Sequence, residues 1–270
     1  MDKLQTQMDY FQSLIAIRDS FLEDSCYKIA IASGKGGVGK SNFALNLAIT
    51  LAEKCKMLLL DGDPGLADLN IMMGINPTAH WGMFIEGSLD FKEIVEKDIY
   101  GLDFIHGFSG VSSINWVQSD AMQRIIRSLH TLGKEYGCTV IDVGAGLSEP
   151  TIAFTTTVDL VVLVLNKELT SLADAYGTLK TIRKWNPYQK VGVVVNSVEP
   201  GEEPMKVYEN ICMVSEQFLG IKPEYLGHLP FDRAVSASIL KQKPVIECFP
   251  KSAYVTQVRA IAQTIGKNIF

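Results

Sequence analysis

Most of the chain alternates between short, almost uninterrupted apolar runs and longer amphipathic stretches. The short runs are rich in leucine and β-branched residues, and the run over 160–165 is typical of them. Strands that lack polar alternation are covered on both faces, as in a parallel sheet. The pattern predicts strands over residues 28–32, 57–61, 102–106, 138–143, 159–165, 190–196 and 225–229.

The longer stretches repeat their apolar residues at the spacing of a helix. Alternating strands and helices indicate an α/β fold, with a doubly wound, mostly parallel sheet and helices on both faces. In such a sheet, ligands bind at the carboxyl ends of the strands. The predicted helices cover residues 41–54, 118–135, 171–185, 204–219, 234–241 and 252–267.

An amphipathic helix is also predicted before the first strand, over residues 2–22. Met8, Phe11 and Ile15 recur there at helical spacing. We therefore divide the chain into an N-terminal helix, residues 1–25, and one domain, residues 26–270. Because this helix is acidic as often as basic, we expect it to cover its own domain or a protein partner rather than a membrane.

The composition narrows the class of protein. A chain of 270 residues, 47% of them hydrophobic, suits one large domain with a substantial core. Its net charge of −5 argues against a broad nucleic-acid-binding face. The five cysteines show no C-x-x-C spacing, and their odd number argues against a disulfide framework. The cysteine pattern therefore favours the reducing cytoplasm, and no secretory leader or membrane-spanning run is apparent.

The first predicted strand leads into a glycine-rich segment and then into a helix. Residues 34–41 fit G-x-x-x-x-G-K-[ST], the pattern of a phosphate-binding loop. Glycines let the backbone approach a ligand closely, so that successive N–H groups and the positive helix end surround phosphates. We expect Lys40 to contact the β- and γ-phosphates and Ser41 to supply a hydroxyl to Mg²⁺. The predicted nucleotide-binding residues of this segment are Gly34, Gly36, Gly37, Val38, Gly39, Lys40, Ser41 and Asn42.

Carboxylates follow two other predicted strands, at the edge of the sheet where the glycine loop lies. Asp61 and Asp63 follow one strand, and Asp142 follows another. Mg²⁺ prefers hard oxygen ligands, and phosphoryl transfer to water needs a group that positions the water. These carboxylates are therefore candidates for both roles, with Asp61 and Asp142 as candidate metal ligands. Alternatively, each aspartate caps the helix or turn that follows it.

Two lysines, Lys35 and Lys40, make the glycine segment similar to the deviant Walker A motif of the MinD/ParA family of P-loop ATPases. The resemblance runs over residues 28–267. Within that family the chain most resembles the flagellar branch, FlhG (FleN), whose members regulate flagellar number and placement. The segments that carry this further resemblance are 63–74, 141–147 and 170–176.

The resemblance implies a homodimer that forms around bound ATP and is reset by ATP hydrolysis, with ADP and Mg²⁺ as the other ligands. It implies that Lys35 reaches the partner's nucleotide, where its charge would act as an arginine finger does. It also implies that Asp63 orients the attacking water and that Asp142 contacts Mg²⁺ through water. The implied catalytic residues are Lys35, Lys40 and Asp63. The residues that match the adenine pocket are Asn196, Pro230 and Asp232.

The family also implies partners: flagellar assembly or regulatory proteins, such as a GTPase similar to that of the signal recognition particle, or a transcription regulator. Its MinD and FlhG members bind the inner face of the cell membrane through a C-terminal amphipathic helix. Here the stripe from Tyr254 to Ile269 has few basic neighbours, so we expect it to pack on the sheet, and peripheral membrane contact stays open. The N-terminal helix lacks the Asp-Gln-Ala signature through which FlhG stimulates its GTPase partner.

Other functions stay open. Pro64 stands where ParA partition proteins carry proline, which favours a DNA- or cargo-partitioning ATPase, and a MinD-like division-site ATPase is a further alternative. Asp68 stands where the family commonly has asparagine, and its charge could repel phosphate or a dimer partner. A metabolic ligase on the same fold would need substrate-binding residues that are not evident. No cysteine lies beside Asp142, which disfavours an iron–sulfur carrier.

Overall fold

The computed structural model of the protein describes residues 3–21, 26–63, 68–107 and 120–269. The strands within these ranges are β1 (Tyr27–Ala32), β2 (Met57–Gly62), β3 (Val95–Ile99), β4 (Leu102–Ile105), β5 (Cys138–Val143), β6 (Leu160–Leu165), β7 (Val191–Val198) and β8 (Glu224–Pro230). The helices are α1 (Lys3–Asp19), α2 (Lys40–Ala52), α3 (Leu69–Met73), α4 (Trp81–Glu86), α5 (Ala121–Gly133), α6 (Glu149–Thr157), α7 (Leu169–Trp185), α8 (Pro204–Leu219), α9 (Arg233–Leu240), α10 (Val245–Cys248) and α11 (Ala253–Gly266).

The strands form one sheet in the order β3-β4-β2-β5-β1-β6-β7-β8. Every neighbouring pair is parallel except β3 with β4, which run antiparallel. Side chains alternate across the sheet: Ile29 and Ile31 join the core under α2 and α11, whereas Ala30 and Ala32 join the core under α1, α5 and α6. Because both faces are covered, the strands need no polar alternation. The predicted doubly wound, mostly parallel sheet is confirmed.

The predicted strands and helices are present, with ends that differ by a few residues. The start of the predicted helix 118–135 falls partly outside the described residues, and α5 begins at Ala121. The predictions missed β3, which is a polar edge strand, and the short helices α3, α4 and α10.

Helix α6 was also missed, and its sequence shows why. Its run of β-branched threonines lowers helix propensity. In the fold, the hydroxyls of Thr155, Thr156 and Thr157 donate to carbonyl oxygens one turn earlier, at 2.7–2.8 Å. The side chain of Ser148 caps the helix by accepting from the N–H of Thr151 at 3.3 Å. Local capping and tertiary packing thus override the weak propensity.

The N-terminal helix α1 packs on α5, α6 and α7. Phe11 and Leu14 are fully buried there, and the ring centroid of Phe11 lies 4.7 Å from that of Trp185. The amide of Gln123 on α5 donates to the hydroxyl of Ser13 at 3.1 Å. Helix α1 therefore covers its own domain, as one of the two expected alternatives. Residues 22–25 lie outside the described residues, and the division at residues 25 and 26 stays a prediction.

The C-terminal helix α11 packs on α2 and β8. Tyr254, Val258, Ile261 and Ile265 are buried in the same core as α2, so the expected packing of this stripe on the sheet is confirmed. Within the described ranges, no helix combines the length and the apolar character that crossing a bilayer requires.

Candidate nucleotide-binding site

The glycine loop connects β1 to α2 at the carboxyl edge of the sheet. Gly37 and Gly39 have φ of +80° and +88°, a region that other residues rarely adopt. A Cβ on Gly39 would lie 2.2 Å from the side-chain nitrogen of Asn196, and one on Gly34 would lie 2.2 Å from the carbonyl carbon of Asp174. Backbone conformation requires glycine at 37 and 39, and close packing requires it at 34 and 39.

A buried ion pair joins this loop to the end of β5. The Nζ atom of Lys40 donates to Oδ1 of Asp142 at 2.5 Å and lies 3.3 Å from the hydroxyl oxygen of Ser41. Lys40 is 8% exposed and Asp142 is 2% exposed. Buried charges are tolerated when they are paired and hydrogen-bonded in this way.

Asp61 lies opposite Asp142 in the register of β2 and β5. Burial raises the pKa of Asp61 well above its usual value, and the charge of Asp142 raises it further. Burial also raises the pKa of Asp142, and the ammonium of Lys40 and the hydroxyl of Ser41 oppose that rise. Two carboxylates therefore share a buried site with one lysine. The lysine can neutralise only one of them when both are ionised.

Asp63 is half-buried on the segment that leaves β2. Its backbone N–H donates to Oδ1 of Asp61 at 3.2 Å, and a Cβ on Gly144 would lie 3.2 Å from its carboxylate. Asp63 thus lies against the backbone that follows Asp142. Pro64 lies outside the described residues, whereas Asp68 is exposed at the start of α3.

The oxygen atoms at this edge suit a hard divalent cation. In the described part of the chain, Oδ2 of Asp61 is buried without a hydrogen-bond partner, and a bound cation would satisfy it. The predicted metal ligands Ser41, Asp61 and Asp142 all supply oxygen, the donor type that Mg²⁺ prefers. The residues present therefore fit Mg²⁺.

A cavity of about 370 Å³ opens beside the loop. Asp68 and Met72 of the α3 region, Phe231 and Ile239 on or near α9, and Tyr254 of α11 form much of the remaining wall. Sequence reasoning did not identify Met72, Phe231, Ile239 or Tyr254, because no motif marks them. The predicted residues that line the cavity are Gly36, Gly37, Gly39, Lys40, Ser41, Asn42, Asn196, Pro230 and Asp232.

The residues predicted to contact adenine also hold the cavity together. The side-chain amide of Asn196 donates to the carbonyl of Val38 at 2.6 Å, which ties β7 to the glycine loop. The carboxylate of Asp232 caps α9 by accepting from the N–H of Ala234 at 2.9 Å. Its other oxygen accepts from the N–H of Tyr254 at 3.2 Å, which ties α9 to α11.

Lys35 lies at the surface and is not in the cavity wall. Its Nζ atom donates to Oε2 of Glu168 at 2.5 Å and to the hydroxyl of Thr170 at 3.3 Å. Its side chain is 40% exposed, and that of Glu168 is 51% exposed. Exposed ion pairs of this kind contribute little to stability.

Comparison with known proteins assigns the family. Residues 29–245 match the family described as the CobQ/CobB/MinD/ParA nucleotide binding domain. The chain therefore belongs to this family of nucleotide-binding domains, as the two lysines of the loop predict.

Two relatives confirm the resemblance to the flagellar branch. The antiactivator FleN of Pseudomonas aeruginosa is 29% identical over 238 residues, covering 88% of this chain and 85% of FleN. The flagellum site-determining protein YlxH of Helicobacter pylori is 29% identical over 238 residues, covering 87% of this chain and 80% of YlxH.

Among solved structures, the septum site-determining protein MinD of Pyrococcus horikoshii, complexed with Mg-ADP, has a similar fold. The TM-score is 0.74 at 20% identity, over 90% of this chain and 97% of MinD. A ParA family ATPase of Chlorobium tepidum matches with a TM-score of 0.72 at 21% identity, over 88% of this chain and 98% of that protein. These likenesses confirm the predicted MinD/ParA fold.

We expect Asp61→Asn to raise the melting temperature of the protein in EDTA at about pH 8. Because burial and Asp142 raise the folded-state pKa of Asp61 above that of the unfolded chain, stability falls as the pH rises from the unfolded-state pKa through the folded-state pKa. The amide keeps the shape of the side chain and carries no charge. Differential scanning calorimetry measures the change.

The gain should shrink towards about pH 5, where wild-type Asp61 retains its proton more fully. The exposed change Asp90→Asn is the control and should leave the melting temperature nearly unchanged. A melting temperature of Asp61→Asn at or below that of the wild type across this pH range would contradict the described electrostatics.

Proposed function

We propose that the protein is an ATP-dependent dimerising switch that hydrolyses ATP and controls the number or placement of flagella through protein partners. The buried ion pair between Lys40 and Asp142, at 2.5 Å, is the observation that carries the proposal. It joins the phosphate-binding loop to the end of β5, from which the chain continues to α6. A γ-phosphate bound at the loop would offer Lys40 a second anionic partner. The ion pair between Lys40 and Asp142 would then change.

The cavity supports binding of a nucleotide in one orientation. Its loop end carries backbone N–H groups, Lys40 and the amino end of α2, which suit a phosphate chain. The rest of its lining combines apolar residues such as Phe231, Val235 and Ile239 with polar ones such as Ser197 and Ser236, a mixture that suits a nucleoside. We therefore place the phosphates of ATP or ADP against residues 34–42 and the adenosine against Asn196, Pro230 and Asp232.

Mg²⁺ would be held by the oxygens of Ser41, Asp61 and Asp142, directly or through water. When bound, it supplies positive charge that neutralises the phosphates during transfer. Asp63 is suited to orient the attacking water, because it is half-buried, lies against Gly144 and shares this edge with the metal ligands. Lys40 would stabilise charge on the transferred phosphoryl group from the same subunit.

Lys35 would complete the site of a second subunit. Its ion pair with Glu168 is exposed and weak, so the side chain can be released to another anion. A lysine that approaches the partner's phosphates would add positive charge only in the dimer. Dimerisation would then be coupled to hydrolysis, which resets the switch.

The flagellar role rests on the relatives named FleN and YlxH. Partners that read the dimer would be flagellar proteins, such as a GTPase or a transcription regulator. We place the switch in the cytoplasm. Peripheral membrane contact stays a prediction without support from α11, because its apolar stripe is buried. The net charge of −5 argues against non-specific DNA as the partner.

We expect Lys35→Ala and Asp63→Ala each to hydrolyse ATP very slowly alone, and their mixture to regain activity. In a mixed dimer, the subunit with Lys35→Ala keeps its own Asp63 and receives Lys35 from its partner. Random pairing would restore roughly one quarter of the wild-type rate per subunit, since one dimer in two is mixed and holds one complete site. Release of inorganic phosphate measures the rate.

A mixture of Lys35→Ala with Lys40→Ala is the control and should stay inactive. In a mixed dimer of this control, the Lys40→Ala subunit can still supply Lys35 to its partner. However, this subunit has lost its phosphate contact, and the ATP sandwich forms only when both subunits bind ATP. If the first mixture gains no activity although both variants bind ATP, Lys35 acts within its own subunit and the cross-subunit role is wrong.

We expect deletion of the gene to raise the number of flagella per cell, because the Pseudomonas relative is named an antiactivator. The wild-type gene should restore the normal number, and Lys40→Ala should not, since it loses the phosphate contact. Electron microscopy of single cells gives the counts. Unchanged flagella together with misplaced division septa or lost plasmids would favour the MinD-like or ParA-like alternative.

A further inference from the structure

Phe231 is an exposed aromatic residue in the wall of the cavity beside the glycine loop. It is 58% exposed, although its ring is large and apolar. Among the described residues, the cavity wall contains one other aromatic side chain, that of Tyr254, which is enclosed in the core. Phe231 is therefore the aromatic ring of this wall that has accessible surface for a ligand.

The backbone on both sides of this ring is held in place. The N–H of Phe231 donates to the carbonyl oxygen of Val198 at 2.9 Å, which ties it to the end of β7. Pro230, just before it, pairs with Val198 in the register of β7 and β8, and Asp232, just after it, caps α9. The position of the ring then depends on two side-chain torsions, so ordering it against a ligand costs little conformational entropy.

The neighbours of Phe231 in this wall show which part of a ligand would lie there. Met72, Val235 and Ile239 line the same cavity, and each of them keeps some exposed surface. Single exposed apolar side chains are common, but here four of them border one cavity. A charged and hydrated phosphate chain gains nothing from such a surface, whereas a flat nucleobase buries both the ring and its own face.

We propose that the ring of Phe231 stacks on the base of the bound nucleotide and is a specificity-determining residue of the site. Stacking on an aromatic ring uses the π-face that every base has and does not read its hydrogen-bonding edge. It therefore makes the protein select a nucleotide over a bare phosphate chain. The inference rests on the proposed function in that a nucleotide occupies this cavity.

Phe218 provides a matched comparison within the same chain. It is 64% exposed and lies in the last turn of α8, outside the cavity wall. Its ring centroid lies 6.5 Å from that of Tyr176 on α7. A change of Phe218 to alanine therefore removes the same kind of exposed ring from another part of the surface.

The experiment compares the wild type, Phe231→Ala, Phe231→Tyr and Phe218→Ala by isothermal titration calorimetry with Mg-ADP and with magnesium pyrophosphate. Both ligands carry a chain of two phosphates, and ADP does not assemble the proposed dimer. We expect Phe231→Ala to weaken ADP binding about 5- to 100-fold, the effect of one lost base–aromatic stack, and to leave pyrophosphate binding unchanged. Phe231→Tyr keeps the ring and should bind ADP nearly as the wild type does. Phe218→Ala should leave both affinities unchanged.

Equal ADP affinities of the wild type and Phe231→Ala would overturn the inference and leave the proposed function intact. An equal loss for ADP and pyrophosphate would also overturn it, because the effect would then not depend on the base. The same holds if Phe231→Tyr or Phe218→Ala loses as much ADP affinity as Phe231→Ala. If the wild type itself binds no ADP, the proposed function fails first and the role of Phe231 fails with it.

Discussion

The buried ion pair between Lys40 and Asp142 is the contact on which the rest of the site depends. It connects the first residue of α2 to the end of β5, and both side chains are almost fully enclosed. If either partner were lost, the other would remain as an uncompensated buried charge, which is strongly unfavourable. The loop and the strand end therefore hold each other in place. In the proposed mechanism, a phosphate of the bound nucleotide competes with Asp142 for the lysine.

The position of β5 in the sheet connects this ion pair to the rest of the site. Because β5 lies between β1 and β2, Asp142 is next to both the glycine loop and Asp61. The segment after Asp142 leads into α6, where the hydroxyl of Thr151 donates to the carbonyl of Gly144 at 3.1 Å. Helix α1 packs on α6. In the proposed switch, a change in the partner of Lys40 would bear on the β5–α6 segment, and α1 contacts that region through α6.

The sequence predicts the parts of the site that depend on local geometry. The glycine loop needs positive φ at Gly37 and Gly39, and the carboxylates Asp61 and Asp142 come directly at strand ends, so spacing along the chain suffices to find them. The contacts that close the cavity join distant residues, such as Asn196 with the carbonyl of Val38. Tyr254, whose backbone N–H donates to Asp232, and Glu168, which pairs with Lys35, carry no motif. Their contacts depend on strand order and helix packing, which only the folded chain shows.

The most direct test of the switch is the solution mass of Asp63→Ala, measured by light scattering with Mg-ATP and then with Mg-ADP. This change removes the group proposed to position water and leaves the phosphate-binding loop untouched. The proposed mechanism predicts a dimer with ATP and a monomer, one chain of 29.7 kDa, with ADP. A monomer with both nucleotides, although both bind, would contradict the proposal that ATP assembles the protein.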